Sequence, residues 1–258
     1  MKFVVIGHGF VGQAMDSVLS DKHTVAIIDP HKGFDDSVDK HSDADGFVIC
    51  VPTPEADNGR VDDTLVVEYI KAVREHCPNS KILIKSTTSV DVLREYDFHN
   101  VAFSPEFLSS STSADTTQQF RDCTFAIYGG DAGRFWHSVF GQLVTINDVR
   151  FLDIKDAGFL KYTENAFLAL KVTFFNELRQ LYDADIGVNY DAMIEALALD
   201  KRIGMSHTQV PGPDGRYGFG GHCLPKDTSE FVEYGRAEGH PLQLLELARK
   251  LNVEFRNK

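Results

Sequence analysis

The chain has 258 residues, 43% hydrophobic and 25% charged, a globular composition that excludes a disordered chain and allows one large domain or two modest ones. No apolar run approaches the roughly 20 residues that span a bilayer, and glycines break the N-terminal apolar run too early for a secretory signal. Acidic residues outnumber basic ones by 38 to 26, for a net charge of −12, and no Lys/Arg cluster stands out, which disfavours nucleic acid as a partner.

In chain order, apolar β-rich runs predict strands at 2–6, 24–28, 46–51, 81–85, 101–103, 124–128 and 150–152. Apolar spacing predicts helices over 11–19, 63–76 and 132–141. Alternation of nearly continuous apolar strands with helices predicts an α/β fold, a Rossmann-type doubly wound parallel sheet covered on both faces. The Ser/Thr-rich stretch 109–119 reads as a surface loop or a capped helix start. From residue 154 the pattern changes to a mainly helical domain. Residues 155–183 form one long helix whose apolar positions wrap most of its circumference, so burial on several sides is expected, between domains or between subunits. A helix at 191–199 follows. Residues 202–223, with six glycines and two prolines, form a loop too long for a plain connector. Helices at 226–238 and 242–251 close the chain. The expected division is 1–153, a dinucleotide-binding domain, and 154–258, a helical catalytic and dimerisation domain.

Gly7-His8-Gly9-Phe10-Val11-Gly12 follows a strand and opens a helix. The first glycine permits a tight turn, the second lets a pyrophosphate approach the backbone, and the third lets helix and strand pack closely. Asp29 ends the second strand at about the spacing where a carboxylate accepts ribose hydroxyls, which favours NAD over NADP. His31 and Lys32 follow closely and would soften discrimination against a 2′-phosphate. Val51-Pro52-Thr53-Pro54 and Lys85-Ser86-Thr87 fall at strand carboxyl ends, where open α/β sheets bind ligands, although each alone also reads as a plain turn.

Four cysteines, at 50, 77, 123 and 223, have neither metal-ligand spacing nor a CxxC pair and read as reduced thiols of a cytoplasmic protein, with no metal expected. Cys50 and Cys123 lie in apolar strands and Cys77 at a helix end, positions of inert packing. Cys223 differs. It sits in Gly220-Gly221-His222-Cys223-Leu224-Pro225-Lys226-Asp227, a glycine-rich lead into a helix, where a thiol beside Lys226 is favoured as thiolate and nucleophile. Asp227, four residues on, is placed to orient a water or manage a proton. Lys161 and Asn165 share one face of the long helix, with Asn176 near the same stripe. Their residues alone leave two readings open: site groups, or a salt bridge with Glu164 and a backbone hydrogen bond. Glu106, in Ser104-Pro105-Glu106-Phe107-Leu108, reads as a helix-start residue or a carboxylate at the sheet edge.

These segments, with KYTENAFLALKVTFFNEL at 161–178 and DKRIG at 200–204, resemble in order the motifs of the UDP-glucose/GDP-mannose dehydrogenase family, over essentially the whole chain. The resemblance implies an NAD-dependent, two-step oxidation of a nucleotide sugar's primary alcohol to a carboxylate, UDP-glucose to UDP-glucuronate. Two hydrides pass to NAD, and Cys223 carries a thiohemiacetal and then a thioester that water cleaves. By the same resemblance Lys161 stabilises the oxyanion, Asn165 helps it and holds a water, and Asp227 assists proton transfer. Thr87 positions a water, and Glu106 binds or deprotonates. The cofactor would meet Gly7, Gly9, Phe10, Val11, Gly12, Asp29, Pro52, Thr53 and Thr87. The sugar would meet Glu106, Phe107, Leu108, Lys161, Asn165, Phe219, Gly220 and Gly221, and Arg202 would reach the partner subunit's sugar in a homodimer built around the long helix.

Two departures qualify the match. Ser110 stands where family members carry a second acidic residue, and family enzymes continue into a C-terminal nucleotide-binding domain. The expectation is a minimal, cytoplasmic form without that domain, its catalytic loop lengthened by Val210–Asp214. Dehydrogenation of another activated sugar such as GDP-mannose, or of a smaller hydroxy compound, is the alternative. So is an NAD-binding subunit that needs a partner chain.

Overall fold

The computed structural model describes residues 1–96, 100–107, 115–184 and 187–258. Two units emerge: Met1–Ala56 with Val61–Lys161, and Asp57–Arg60 with Tyr162–Lys258.

In the first unit, strands β1 (Lys2–Ile6), β2 (Thr24–Ile28), β3 (Gly46–Ile49), β4 (Lys81–Ile84), β5 (Val101–Phe103), β6 (Phe125–Gly129) and β7 (Asp148–Leu152) alternate with α1 (Phe10–Leu19), α2 (Thr64–His76), α3 (Val90–Glu95), α4 (Thr116–Asp122) and α5 (Gly133–Phe140). They form one seven-stranded sheet of order β2-β1-β3-β4-β5-β6-β7. The period of two along each strand sends side chains to both faces. Val4, Ile6, Phe47, Ile49, Ile82 and Ile84 meet Val66, Ile70 and Val73 of α2 on one face. Phe3, Val5, Val48 and Leu83 meet Met15, Val18 and Leu19 of α1 and Trp136, Val139 and Phe140 of α5 on the other. Burial of each such side chain contributes roughly 1.5–3 kcal/mol, so neither face can be uncovered cheaply.

The expected all-parallel sheet needs one correction. Neighbouring strands run parallel from β2 through β5 and between β6 and β7, but β5 and β6 are antiparallel, joined at Phe103 and Gly129. An apolar run reveals that a strand is buried, not which way it points. The helices α3 and α4, six and seven residues long, are also additions. Ser89 caps α3 by accepting from Val92 N, and Asp115 caps α4 by accepting from Thr117 and Gln118 N. The described part of 109–119 is thus a capped helix start, while 109–114 lie outside the described residues.

The order of β2, β1 and β3 positions the first candidate site. The chain leaves β1 toward one edge, then returns to pair β3 on its other side. Connections diverge above the carboxyl ends of β1 and β3, the crevice where open α/β sheets take ligands.

The long helix α6 (Ile154–Asp183) starts in the first unit and passes into the second after Lys161. The second unit adds α7 (Tyr190–Leu197), α8 (Cys223–Ala237) and α9 (Gln243–Arg256). Ala166, Ala169 and Phe175 of α6 are buried, but Phe167, Phe174 and Leu181 stay 63%, 54% and 55% exposed. Seven residues apart, these three line one stripe. Among the described residues no helix is long and apolar enough to cross a membrane.

Candidate functional site

At the carboxyl end of β1, Gly7 has φ +83, and a methyl on it would lie 2.6 Å from the Cys50 carbonyl oxygen. A methyl on Gly12 would lie 1.9 Å from the Gly7 oxygen, whereas one on Gly9 would meet nothing within 4 Å. Two glycines are therefore needed for packing, and the third faces open space. Gly9 is also the N-cap of α1 and supplies no side-chain cap, so the first-turn N–H groups toward Phe10, Val11 and Gly12 remain available to an anion.

Asp29 Oδ2 accepts from His8 N at 2.8 Å, and Lys32 Nζ donates to His8 O at 2.5 Å. The His8 ring is held by Asp16, Nε2 to Oδ2 at 3.1 Å, and meets Phe34 edge-on. The turn is therefore fixed at both backbone groups of His8 by the segment that follows β2, with Asp29 Oδ1 outside that bond. This cradle fits a dinucleotide: a bare helix start for pyrophosphate, open space at Gly9, and a carboxylate oxygen for ribose hydroxyls. His31 and Lys32 lie in the short 3₁₀ turn that follows Asp29.

After β3, Pro52 is exposed and Thr53 buried, and Thr53 Oγ1 donates to Thr87 O at 2.7 Å, tying the loop after β3 to the loop after β4. Glu106, after β5, is committed to an ion pair: Lys85 Nζ lies 3.0 Å from its Oε2, with the Lys85 side chain only 4% exposed. Phe107 N donates to Glu106 Oε1 at 2.8 Å. Lys85 is a site residue that the sequence reading passed over within KST; a lysine at the end of a buried strand needs a carboxylate partner. Lys85, Glu106 and Phe107 border a cavity of about 320 Å³ with Phe120, Phe125 and Tyr128. Lys161 Nζ donates to the Glu106 carbonyl and lies 5.4 Å from the centre of the Phe107 ring. Leu108 and Ser110 lie outside the described residues.

In the second unit, α8 begins at Cys223, three residues earlier than read from the sequence. Pro225 then falls in the first turn, where no N–H is needed. The exposed Cys223 thiol stands at the amino end of this helix, where the helix field favours negative charge. Asp227, buried to 1%, accepts from Asn165 Nδ2 at 2.5 Å and pairs with Lys226 Nζ at 2.6 Å. Asn165 and Asp227, two predicted site residues, are thus brought together. Arg202 is 88% exposed and pairs at 2.6 Å with Asp200. Cys50 and Cys77 are packing groups, whereas Cys123, expected inside a strand, is half-buried at the end of α4. Burial pushes the Cys50 and Cys77 thiols up, and Cys123 Sγ donates to Phe125 O. Among the described residues no cluster could hold a metal ion.

The loop into α8 sorts its own residues. Phe219 is buried, and a methyl on Gly220 would lie 2.9 Å from the Arg256 guanidinium, whereas Gly221, at φ +75, would meet nothing within 4 Å. Gly221 is accordingly the open point of the Phe219–Gly221 segment. Asp214, in the lengthened part of the loop, pairs with Arg256 Nη1 at 2.6 Å.

Comparison with known proteins agrees with this architecture. Residues 155–254 match the model of the UDP-glucose/GDP-mannose dehydrogenase family, central domain. The UDP-glucose 6-dehydrogenase of Haloferax volcanii is 29% identical over 238 residues, 83% of this chain and 53% of that protein. One from Bacillus subtilis is 27% identical over 229 residues, 83% of this chain and 47% of its own length. The chain spans about half the length of these curated relatives. A UDP-glucose dehydrogenase structure from Pyrobaculum islandicum superposes with a TM-score of 0.81 at 24% identity, over 98% of this chain and 68% of that one, and shares the fold. With the motifs of the sequence on these elements, residues 155–254 match the central domain of the UDP-glucose/GDP-mannose dehydrogenase family, and the chain as a whole is similar to UDP-glucose 6-dehydrogenases.

Proposed function

We propose that this protein is an NAD-dependent nucleotide-sugar dehydrogenase that oxidises the primary alcohol of UDP-glucose to the carboxylate, working as a homodimer. The observation that carries the reading is the exposed Cys223 thiol at the first position of α8, with buried Asp227 one turn on and bonded to Asn165.

NAD, when bound, supplies a two-electron acceptor for each of two oxidations. The Gly7–Gly12 turn and the start of α1 hold its pyrophosphate, and Asp29 accepts its ribose hydroxyls. The Lys161 ammonium stabilises negative charge on the reacting sugar oxygen, with Asn165 as a neutral donor beside it. The first oxidation leaves an aldehyde. Cys223 Sγ then adds to the carbonyl carbon: a C–S bond forms, the C=O π pair moves to oxygen, and that oxygen takes a proton. A second oxidation, in which the carbon-bound hydrogen would leave with its electron pair to the bound acceptor and the hydroxyl would give up its proton as the C=O bond re-forms, turns this thiohemiacetal into a thioester. Water adds to it, the C–S bond breaks, and carboxylate and free thiol result. The Asp227 carboxylate, paired with Lys226, receives the proton that water gives up. Thr87, whose carbonyl is taken by Thr53, has its hydroxyl left to orient a water. The apolar stripe of Phe167, Phe174 and Leu181 supports α6 as the seat of a second copy.

The test is NADH formed per sugar consumed by purified protein, with UDP-glucose, GDP-mannose and unactivated glucose in separate arms. Two NADH per UDP-glucose is the expected result. Equal turnover of free glucose would overturn nucleotide recognition. Cys223→Ser is expected to abolish carboxylate formation and leave the fold intact, since the thiol is exposed; a fully active variant would remove the covalent route.

A further inference from the structure

The loop into α8 is held by side chains that the chemistry above does not use. Asn252, on α9, grips one residue's backbone on both sides: its Oδ1 accepts from Phe219 N at 2.6 Å, and its Nδ2 donates to Phe219 O at 2.9 Å. Asn176, on α6, accepts from Gly218 N at 2.8 Å and donates to Val172 O at 2.8 Å. Both amides are buried, at 8% and 1% exposure. Asn252 occupies the inward stripe of α9 with Leu245, Ala248 and Phe255, where an amide is tolerated only if its hydrogen bonds are made. Gly218 has φ +74, and a methyl on it would lie 2.3 Å from Asn252 Oδ1; the close approach of the amide therefore depends on glycine at that point.

Three backbone polar groups in two consecutive residues are thus taken up by side chains four and five residues before the thiol. Beyond them only Gly220, Gly221 and His222 separate the clamp from Cys223, and Gly220 is backed by the Arg256 guanidinium. A glycine-rich segment without such anchors would sample many conformations, because glycine carries the largest backbone entropy.

We propose that Asn252 is a positioning residue for Cys223: its two bonds to the Phe219 backbone fix the segment that sets where the thiol and the open face of Gly221 meet a substrate. The proposal rests on Cys223 being the nucleophile of the reading above, and its test separates the two. Asn252→Leu keeps the γ-branched, four-atom shape of the side chain and removes both bonds. Should that variant fail to fold, Asn252→Ser, smaller and still polar, carries the same comparison. Three quantities are measured on full-length protein: hydrogen exchange at the Phe219 amide, the rate of Cys223 alkylation by iodoacetamide, and steady-state oxidation of UDP-glucose.

The expected result is exchange at Phe219 faster by about tenfold or more with α8 and α9 still protected, as for loss of two neutral hydrogen bonds. Alkylation is expected to change at least about threefold, as for a thiol whose surroundings are no longer fixed. The rate of oxidation is expected to fall by about tenfold or more with KM for NAD unchanged, the split expected when a reacting group is misplaced but the cofactor cradle is not. Unchanged exchange, or faster exchange with wild-type alkylation and kcat, would overturn the proposal. Altered exchange and alkylation in a protein that oxidises no nucleotide sugar would leave the clamp standing and remove the nucleotide-sugar reading instead.

Discussion

The three glycines of the first turn separate fold from ligand binding by substitution alone. Gly7→Ala forces a left-handed conformation at φ +83 and sets a methyl 2.6 Å from the Cys50 carbonyl. The conformational term is about 1–2 kcal/mol, and moving β3 backbone to relieve the clash adds about 1–3 kcal/mol, so a loss of about 2–5 kcal/mol is expected. Gly12→Ala, with its methyl 1.9 Å from the Gly7 oxygen, is expected to be at least as damaging. Gly9→Ala differs: φ is −74 and nothing lies within 4 Å of the new methyl, so stability is expected to stay within about 1 kcal/mol. The methyl occupies the space a pyrophosphate needs, and overpacking of about 1–3 kcal/mol corresponds to NAD affinity weaker by roughly 5- to 150-fold. Urea denaturation reads the first quantity and calorimetric NAD titration the second. Gly9→Ala protein that binds NAD within twofold of wild type, or that unfolds as readily as Gly7→Ala, would refute the assignment.

Two further outcomes follow from burial and from exposure. Burial raises the Cys50 and Cys77 thiols above their ordinary 9.0 and the Tyr190 phenol to about 12 from 10.0. Above pH 9.0 the unfolded chain thus releases protons that the native state keeps, and stability should decline from that pH upward; denaturation midpoints that stay flat from pH 8 to about 10.5 would contradict it. On α6, Phe174→Glu is expected to convert a dimer to a monomer in light scattering, because it sets a charge at the middle of the exposed stripe; a wild-type protein already monomeric at high concentration would remove the dimer from the reading.

The strand–turn–helix at residues 2–19 was legible because periodicity, turn glycines and Asp29 all pointed the same way, and local sequence decides each. The long helix was legible in extent, from its unbroken pattern, but the expected burial on several sides does not extend to Phe167, Phe174 and Leu181 in a single chain. The direction of β6 was not legible, since burial alone shapes a strand's composition. Nor were the roles of Lys85 and Asn252, whose partners lie 21 and 33 residues away, at Glu106 and Phe219. A signal for Asn252 did exist. It interrupts an apolar stripe at helical spacing, and a polar residue there demands a partner. Asn176 shows the same logic resolved: the amide that needed an explanation on α6 holds Gly218.

The double grip on His8 has a consequence for redesign. Cofactor preference in dinucleotide folds is usually altered by removing the acidic residue at the end of the second strand and adding a cation for the extra phosphate. Here the carboxylate of Asp29 also holds the His8 amide, and the cation already present, Lys32, holds the carbonyl of the same residue. An exchange at Asp29 would release the His8 amide, while recruiting Lys32 to a phosphate would leave the His8 carbonyl to Gln13 Nε2 alone, at 3.0 Å. A switch to NADP by that route would thus trade away the order of the loop meant to receive it, unless a substitute donor–acceptor pair for His8 were built in at the same time.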